Sequence, residues 1–170
     1  MGTTALVPVG EYLSTDYSPD CDYIDGVLED RNVGEHDHGR LQAMLISLLM
    51  ALEKKLGIRV VAEQRVQISL TRFRVPDVCV VIGKPDEQVF TRPPFLCAEI
   101  LSPEDRMSRM DRKVRDYLGF GVPYVWVIDP TNRTATTYTP HQGTLVTGDG
   151  VLQTVDPEII ISLPDLFAAL

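Results

Sequence analysis

Arg74-Val75-Pro76-Asp77-Val78-Cys79-Val80-Val81-Ile82, followed after a polar interruption by Phe95-Leu96-Cys97-Ala98-Glu99-Ile100-Leu101-Ser102-Pro103, is the stretch that decides the fold. Val78 to Ile82 is apolar at every position between Pro76 and Gly83, the pattern of a strand covered on both faces. Each apolar run carries one carboxylate, Asp77 in the first and Glu99 in the second. A carboxylate buried there is costly unless it is protonated, hydrogen-bonded or neutralised by a cation. Two of them on neighbouring strands therefore predict a shared divalent metal.

Strand alternation puts Cys97, Glu99 and Leu101 on one face, and Asp77 on the face of Cys79 and Val81. Where those faces coincide, both carboxylates point at one site near a strand end. Magnesium or manganese suits such hard oxygen donors, with water completing the shell and the Ile100 backbone carbonyl as a further ligand. A metal so held lowers the pKa of a bound water and neutralises charge on a phosphate oxygen, the two needs of phosphodiester hydrolysis.

Outward from this stretch, the flanking chain predicts a mixed sheet with two principal helices, an α/β or α+β arrangement. Residues 1–11 read as a loose N-terminal arm, broken by Pro8 and Gly10. Asp25-Gly26 takes the positive φ of a tight turn, which makes residues 21–30 an N-terminal hairpin. After Asn32-Val33-Gly34, a helix is expected from Glu35 to Leu56, with Leu41, Leu45, Leu48, Leu49, Leu52 and Leu56 in one apolar stripe and Gly57 as its stop. Ile58 to Ala62 and Val66 to Leu70 read as strands. Ser102-Pro103-Glu104-Asp105 has the form of a helix start, predicting a helix to Phe120 that ends at Gly121. Val122 to Ile128 alternates Tyr124, Trp126 and Ile128 against Val125 and Val127, a central strand, and Asp129-Pro130 turns it back into Thr134 to Thr139.

Composition sets the limits. At 170 residues and 44% apolar content, one domain with a substantial core is expected over residues 1–170. The formal charge of −8 gives no general pull toward nucleic acid, so a nucleic-acid substrate would need local basic patches and bound metal. Cys21, Cys79 and Cys97 are odd in number and lack metal-ligand spacing. They fit a reducing cytoplasm. No apolar run reaches the roughly 18 to 20 residues of a membrane helix, and Met1 to Gly10 lacks the form of a signal peptide.

Tyr23-Ile24-Asp25-Gly26, His38 opening a Leu-rich helix, Val75-Pro76-Asp77-Val78, Glu99-Ile100-Leu101-Ser102-Pro103, Tyr117, and Gly121-Val122-Pro123-Tyr124-Val125-Trp126-Val127-Ile128-Asp129-Pro130 form an ordered set. This set resembles the Uma-type family of restriction-endonuclease-like proteins, in the PD-(D/E)XK nuclease superfamily, from about Tyr12 onward. The resemblance implies a restriction-endonuclease-like mixed central sheet flanked by helices, and a magnesium-dependent endonuclease acting on DNA. Asp77 and Glu99 are then metal ligands. Cleavage of both strands would use two such sites, which implies a homodimer.

One position departs from the superfamily pattern, which carries a lysine two residues after the acid where this chain has Leu101. Lys113 is the candidate replacement, since it borders the buried stripe of Met110, Val114, Tyr117 and Leu118. Migration of the lysine to this helix is what the resemblance implies. Glu35 matches the acid that many superfamily members carry on their first helix.

Structural roles compete with each assignment. Asp77 can serve a strand-entry turn, Lys113 can snorkel to water, and Glu35 suits any first helical turn. Asp25 serves the hairpin. His36 and His38, two residues apart, do not share a helix face. Arg106, Arg109, Arg112 and Arg115 read as a solvated face with a lesser claim on phosphates. Leu101 and the acidic charge favour an alternative, a catalytically degenerate nuclease fold serving as a binding or assembly module. A metal-free two-carboxylate sugar hydrolase would need an aromatic cleft that the chain is poor in.

Overall fold

The Arg74 to Val78 segment carries the chain from one sheet to another. In the computed structural model, which describes residues 5–31 and 35–170, strand β1 (Asp22–Ile24) and β2 (Val27–Glu29) form the hairpin around Asp25-Gly26, at φ 48° and 90°. β3 (Ile58–Ala62), β4 (Val66–Ser69), β5 (Arg72–Arg74), β6 (Val78–Ile82) and β7 (Leu96–Ile100) follow. The smaller sheet has the order β2-β1-β5-β4. With β8 (Tyr124–Asp129), β9 (Thr134–Tyr138) and β10 (Gly143–Val146), the larger sheet runs β10-β9-β8-β7-β6-β3. Only the β7–β8 pair is parallel within it, so the sheet is mixed. Pro76 and Asp77 thus lie at the seam between the two sheets.

Three apolar layers hold these sheets. Helix α2 (His36–Met50) lays Leu41, Leu45 and Leu49 on the larger sheet against Ala98, Ile100, Trp126 and Ile128. A closing unit of β11 (Val151–Gln153), β12 (Ile160–Ser162) and α5 (Leu163–Phe167) completes that layer. On the opposite face α4 (Met107–Phe120) packs Met110, Val114 and Tyr117 against Cys79, Cys97, Val125 and Val127. The two-sided burial predicted for the Trp126 strand is therefore present, and the fold is the mixed α+β class expected. A third cluster joins Tyr12, Cys21, Tyr23 and Phe73 on the smaller sheet.

Three boundaries differ from the sequence reading, each for a local reason. Part of the expected arm is helical, because Val9–Ser14 forms α1, with Tyr12 fully buried and its hydroxyl donating to the Cys21 carbonyl at 2.8 Å. The long helix divides into α2 and α3 (Glu53–Leu56), since a tight turn at Ala51 and Leu52 intervenes and Glu53 accepts from the Val60 N–H at 2.8 Å. Gly57, at φ 66°, is the stop that was expected. Ser102 does not cap a helix: its N–H donates to the Asp105 side chain at 2.7 Å while the Asp105 N–H donates to its carbonyl at 2.9 Å. That reciprocal turn delays the helix to Met107. The Asn32-Val33-Gly34 break and residues 1–4 lie outside the described residues.

Leu45 is fully buried between α2 and the sheet, whereas Leu70 is 85% exposed. Leu45→Ala is expected to cost about 2 to 5 kcal/mol in urea unfolding. Leu70→Ala should change stability by less than about 0.5 kcal/mol.

Candidate active site

The antiparallel register of β6 and β7 pairs Val78 with Ala98 and Cys79 with Cys97, which brings Asp77, in the bend just before β6, and Glu99, near the end of β7, to the same end of the strand pair. The Ile100 N–H, next along β7, donates to the Asp77 side chain, so the two acids are close neighbours. Both carboxylates are almost fully buried and line one cavity of about 140 Å³ with Arg31, His38, Ile100 and Lys113. The fold thus brings together Asp77, Glu99, Lys113 and Ile100. Glu35 stands apart, exposed at the N-cap of α2 and absent from that lining.

Asp77 is held from several directions. Its Oδ1 contacts the Arg31 guanidinium, its Oδ2 lies 3.2 Å from His38 Nε2, and the Ile100 N–H donates to Oδ2 at 2.8 Å. Gln42 donates to the Asp77 carbonyl at 3.0 Å, which anchors α2 beside the site. Burial opposes the Asp77 charge, but the His38 hydrogen bond and the Arg31 charge outweigh it and hold the carboxyl below its ordinary pKa. The same hydrogen bond raises His38 against the effect of burial.

Glu99 has different surroundings. Lys113 Nζ donates to Oε2 at 3.0 Å and the Tyr117 hydroxyl donates to Oε1 at 2.6 Å. Both partners come from α4, one helical turn apart, so one helix face fixes the carboxylate. Burial pushes the Glu99 pKa up; Lys113 opposes this, and the Asp77 and Asp22 charges reinforce it. Tyr117, whose pKa burial and Glu99 raise far above its ordinary value, remains a neutral donor.

Lys113 reaches a second acid. Its Nζ lies 3.5 Å from Oδ2 of Asp22, a fully buried β1 residue that also accepts from Arg74 at 3.0 Å and from the Val75 N–H at 2.8 Å. Burial favours the neutral amine, but Asp22 first, then Glu99 and Asp77, outweigh it and raise the lysine. The ammonium therefore stays charged inside the protein. Snorkelling to water is not what this side chain does.

Sequence reasoning passed over Asp22, Arg31, Gln42 and His38 as parts of the site. His38 stood in the ordered family pattern, but was weighed only as a partner of His36, which is exposed on another face. Asp22 and Arg31 flank a hairpin, and no spacing rule links a hairpin acid to a lysine 91 positions later. Among the described residues no group of three or more His, Cys, Asp or Glu is set to hold a metal ion.

A family model, Uma2, described as "Putative restriction endonuclease", matches residues 10–169. A crystal structure described as "a putative nuclease belonging to DUF820 from Anabaena variabilis" superposes with a TM-score of 0.83 at 24% identity, covering 94% of this chain and 97% of that one. That likeness shows the fold. A DrdV-DNA complex aligns with 74% of this chain and 10% of its own at 15% identity, with a TM-score of 0.42. Among curated proteins, none matches the chain.

The raised Glu99 pKa sets a pH dependence of stability. A group raised in the fold contributes stability below its unfolded pKa and loses it as pH rises through the folded one. In metal-free buffer, Glu99→Gln should therefore gain stability relative to the wild type as pH rises from about 5 to 8, measured by urea unfolding. A difference that shrinks over that range would contradict the assigned cause.

Proposed function

Because the chain belongs to the Uma2 family, we propose that it is a metal-dependent endonuclease that hydrolyses phosphodiester bonds in DNA. One observation carries the reading: two buried carboxylates share a cavity with a lysine bound to one of them. Such a pairing has a high stability cost without a functional return.

The donor set suits a hard divalent cation. A carboxylate oxygen offers about two acceptor positions. Among the described residues Asp77 Oδ2 is filled by His38 and the Ile100 N–H, Asp77 Oδ1 holds Arg31, and each Glu99 oxygen holds one α4 donor, so one position on Asp77 Oδ1 and one on each Glu99 oxygen remain for a cation. Glu99 is short of positive charge, which a cation would supply. Asp77 and Glu99 would hold magnesium or manganese, with the Ile100 carbonyl as a further oxygen and water or substrate completing the shell. When bound, such a cation lowers the pKa of a water and neutralises charge on a phosphate oxygen.

The chain's own groups divide the remaining work. His38 and the Ile100 N–H fix the rotamer of Asp77, and Tyr117 fixes that of Glu99. Lys113, kept charged by Asp22, supplies the ammonium that the superfamily pattern places at the Leu101 position. It can hold an attacking water or offset charge on the phosphorane-like transition state. Arg31 adds positive charge at the cavity wall. Glu35 has no part in this arrangement. Two-strand cleavage would call for a homodimer, testable by sedimentation at micromolar concentration.

A second reading draws on the Arg31 contact with Asp77. A guanidinium there neutralises the acid without metal, as a degenerate fold used for binding would require.

Calorimetric titration of magnesium and manganese, with plasmid nicking assayed on the same samples, separates the two. Asp77→Asn and Glu99→Gln should lose metal binding and nicking together, and a chelator should abolish nicking in the wild type. Lys113→Ala should keep measurable metal binding and lose about 10²- to 10³-fold in rate, equivalent to ~3 to 4 kcal/mol. Absence of metal binding in the wild type would favour the degenerate module.

A further inference from the structure

The exposed side of α4 carries Arg109, Arg112 and Arg115 at three-residue intervals, leading away from the cavity that Arg109 helps to line. We propose that the cleft between α4 and the smaller sheet binds the phosphate backbone of duplex DNA beside the scissile bond. The inference rests on the nuclease reading and adds to it the surface that would hold the substrate.

The cleft encloses about 290 Å³ and is lined by Arg72, Arg74, Arg112 and Arg115 against two acids, Glu29 and Asp116. On a chain of formal charge −8, Asp25 and Asp22 behind this lining pair with Arg72 and Arg74, so the surface charge of the cleft rests on Arg112 and Arg115. Arg72 and Arg115 continue into the adjoining depression, where Gly119 leaves the surface open.

The acids engage two of the four arginines, and Arg72 is the first of these, held by Asp25 at 2.9 Å and 3.7 Å from Asp116. Arg74 is buried and is shared between Asp22, Glu29 and Asp116. Arg112 approaches Glu29 only at 3.7 Å and keeps a side chain 57% exposed. Arg115 is exposed and, among the described residues, has no ion pair or hydrogen bond. Arg112 and Arg115 are thus the two guanidinium groups left facing solvent at the mouth of the cleft.

The dimensions fit a nucleic-acid strand. At about 1.5 Å rise per residue, Arg109 to Arg115 spans about 9 Å, the axial length of roughly two to three phosphates of one duplex strand. Guanidinium groups suit phosphate oxygens through paired N–H donors. Contacts of this kind position a duplex and do not read its sequence. The cleft therefore predicts sequence-tolerant, salt-sensitive binding that feeds the backbone toward the cavity.

Fluorescence anisotropy of a labelled DNA duplex, in EDTA and across about 50 to 200 mM salt, tests this without metal or cleavage. In the Arg112→Ala/Arg115→Ala double variant the slope of log affinity against log salt should become shallower by roughly 0.9 for each arginine lost. The double lysine variant should keep the wild-type slope, as should Arg92→Ala, whose exposed side chain lies outside the cleft. A double alanine variant with the slope and affinity of a DNA-binding wild type overturns this inference alone. A wild type that neither binds nor cuts the duplex overturns the nuclease reading together with it. Arginine-dependent binding without metal-dependent cutting supports the cleft and sinks the nuclease.

Discussion

The structure depends on one buried ammonium. Lys113 lies 3.0 Å from Glu99 and 3.5 Å from Asp22, and so joins the helix α4, the larger sheet and the smaller sheet through a single charge. Burying an ammonium costs several kcal/mol in desolvation, and the cost is met only because two carboxylates from different sheets face it. Remove the lysine and Glu99 is left without a cation bonded to it in a dry interior, a loss of about 3 to 5 kcal/mol in comparable systems. The position of the smaller sheet follows from the same constraint, since Asp22 must reach the lysine from β1 while Arg74 clamps it from β5.

The two carboxylates of the cavity are driven apart in character by these neighbours. Asp77, with Arg31, His38 and a backbone N–H, is held ionised, whereas Glu99 is pushed toward its protonated form by burial and by the acids beside it. A fold selected for stability alone would not place Asp22, Asp77 and Glu99 around one lysine. Local conflict of this kind, retained in an otherwise well-satisfied interior, is what marks the cavity as the candidate functional site. In the proposed function a divalent cation would relieve it by adding charge where Glu99 lacks it.

Much of this was legible in the sequence because it follows from periodicity. The all-apolar Val78 to Ile82 run, the alternation in Val122 to Ile128 and the leucine stripe of α2 each forecast which faces are buried, and the clusters on both sides of the sheet follow those patterns. Asp77 and Glu99 were visible as carboxylates in strands where they have no cheap partner. Lys113 was reachable from its place on the border of a buried stripe, beside Tyr117. The helix start at Ser102-Pro103 misled, because a cap residue and a turn residue use the same side-chain chemistry and Asp105 took the N–H that a helix would have used. Asp22, Arg31 and His38 were hidden for another reason. Their roles arise from where two sheets meet, and no local pattern encodes that meeting.

Diffraction from crystals soaked in manganese, with the anomalous signal of the metal located directly, tests the central claim that Asp77 and Glu99 form a metal-dependent site. The account predicts one strong peak within coordination distance of both carboxylates, about 2.1 to 2.2 Å, with Lys113 still bound to Glu99. A map with no manganese at the cavity, and the Arg31 guanidinium still against Asp77, would contradict it.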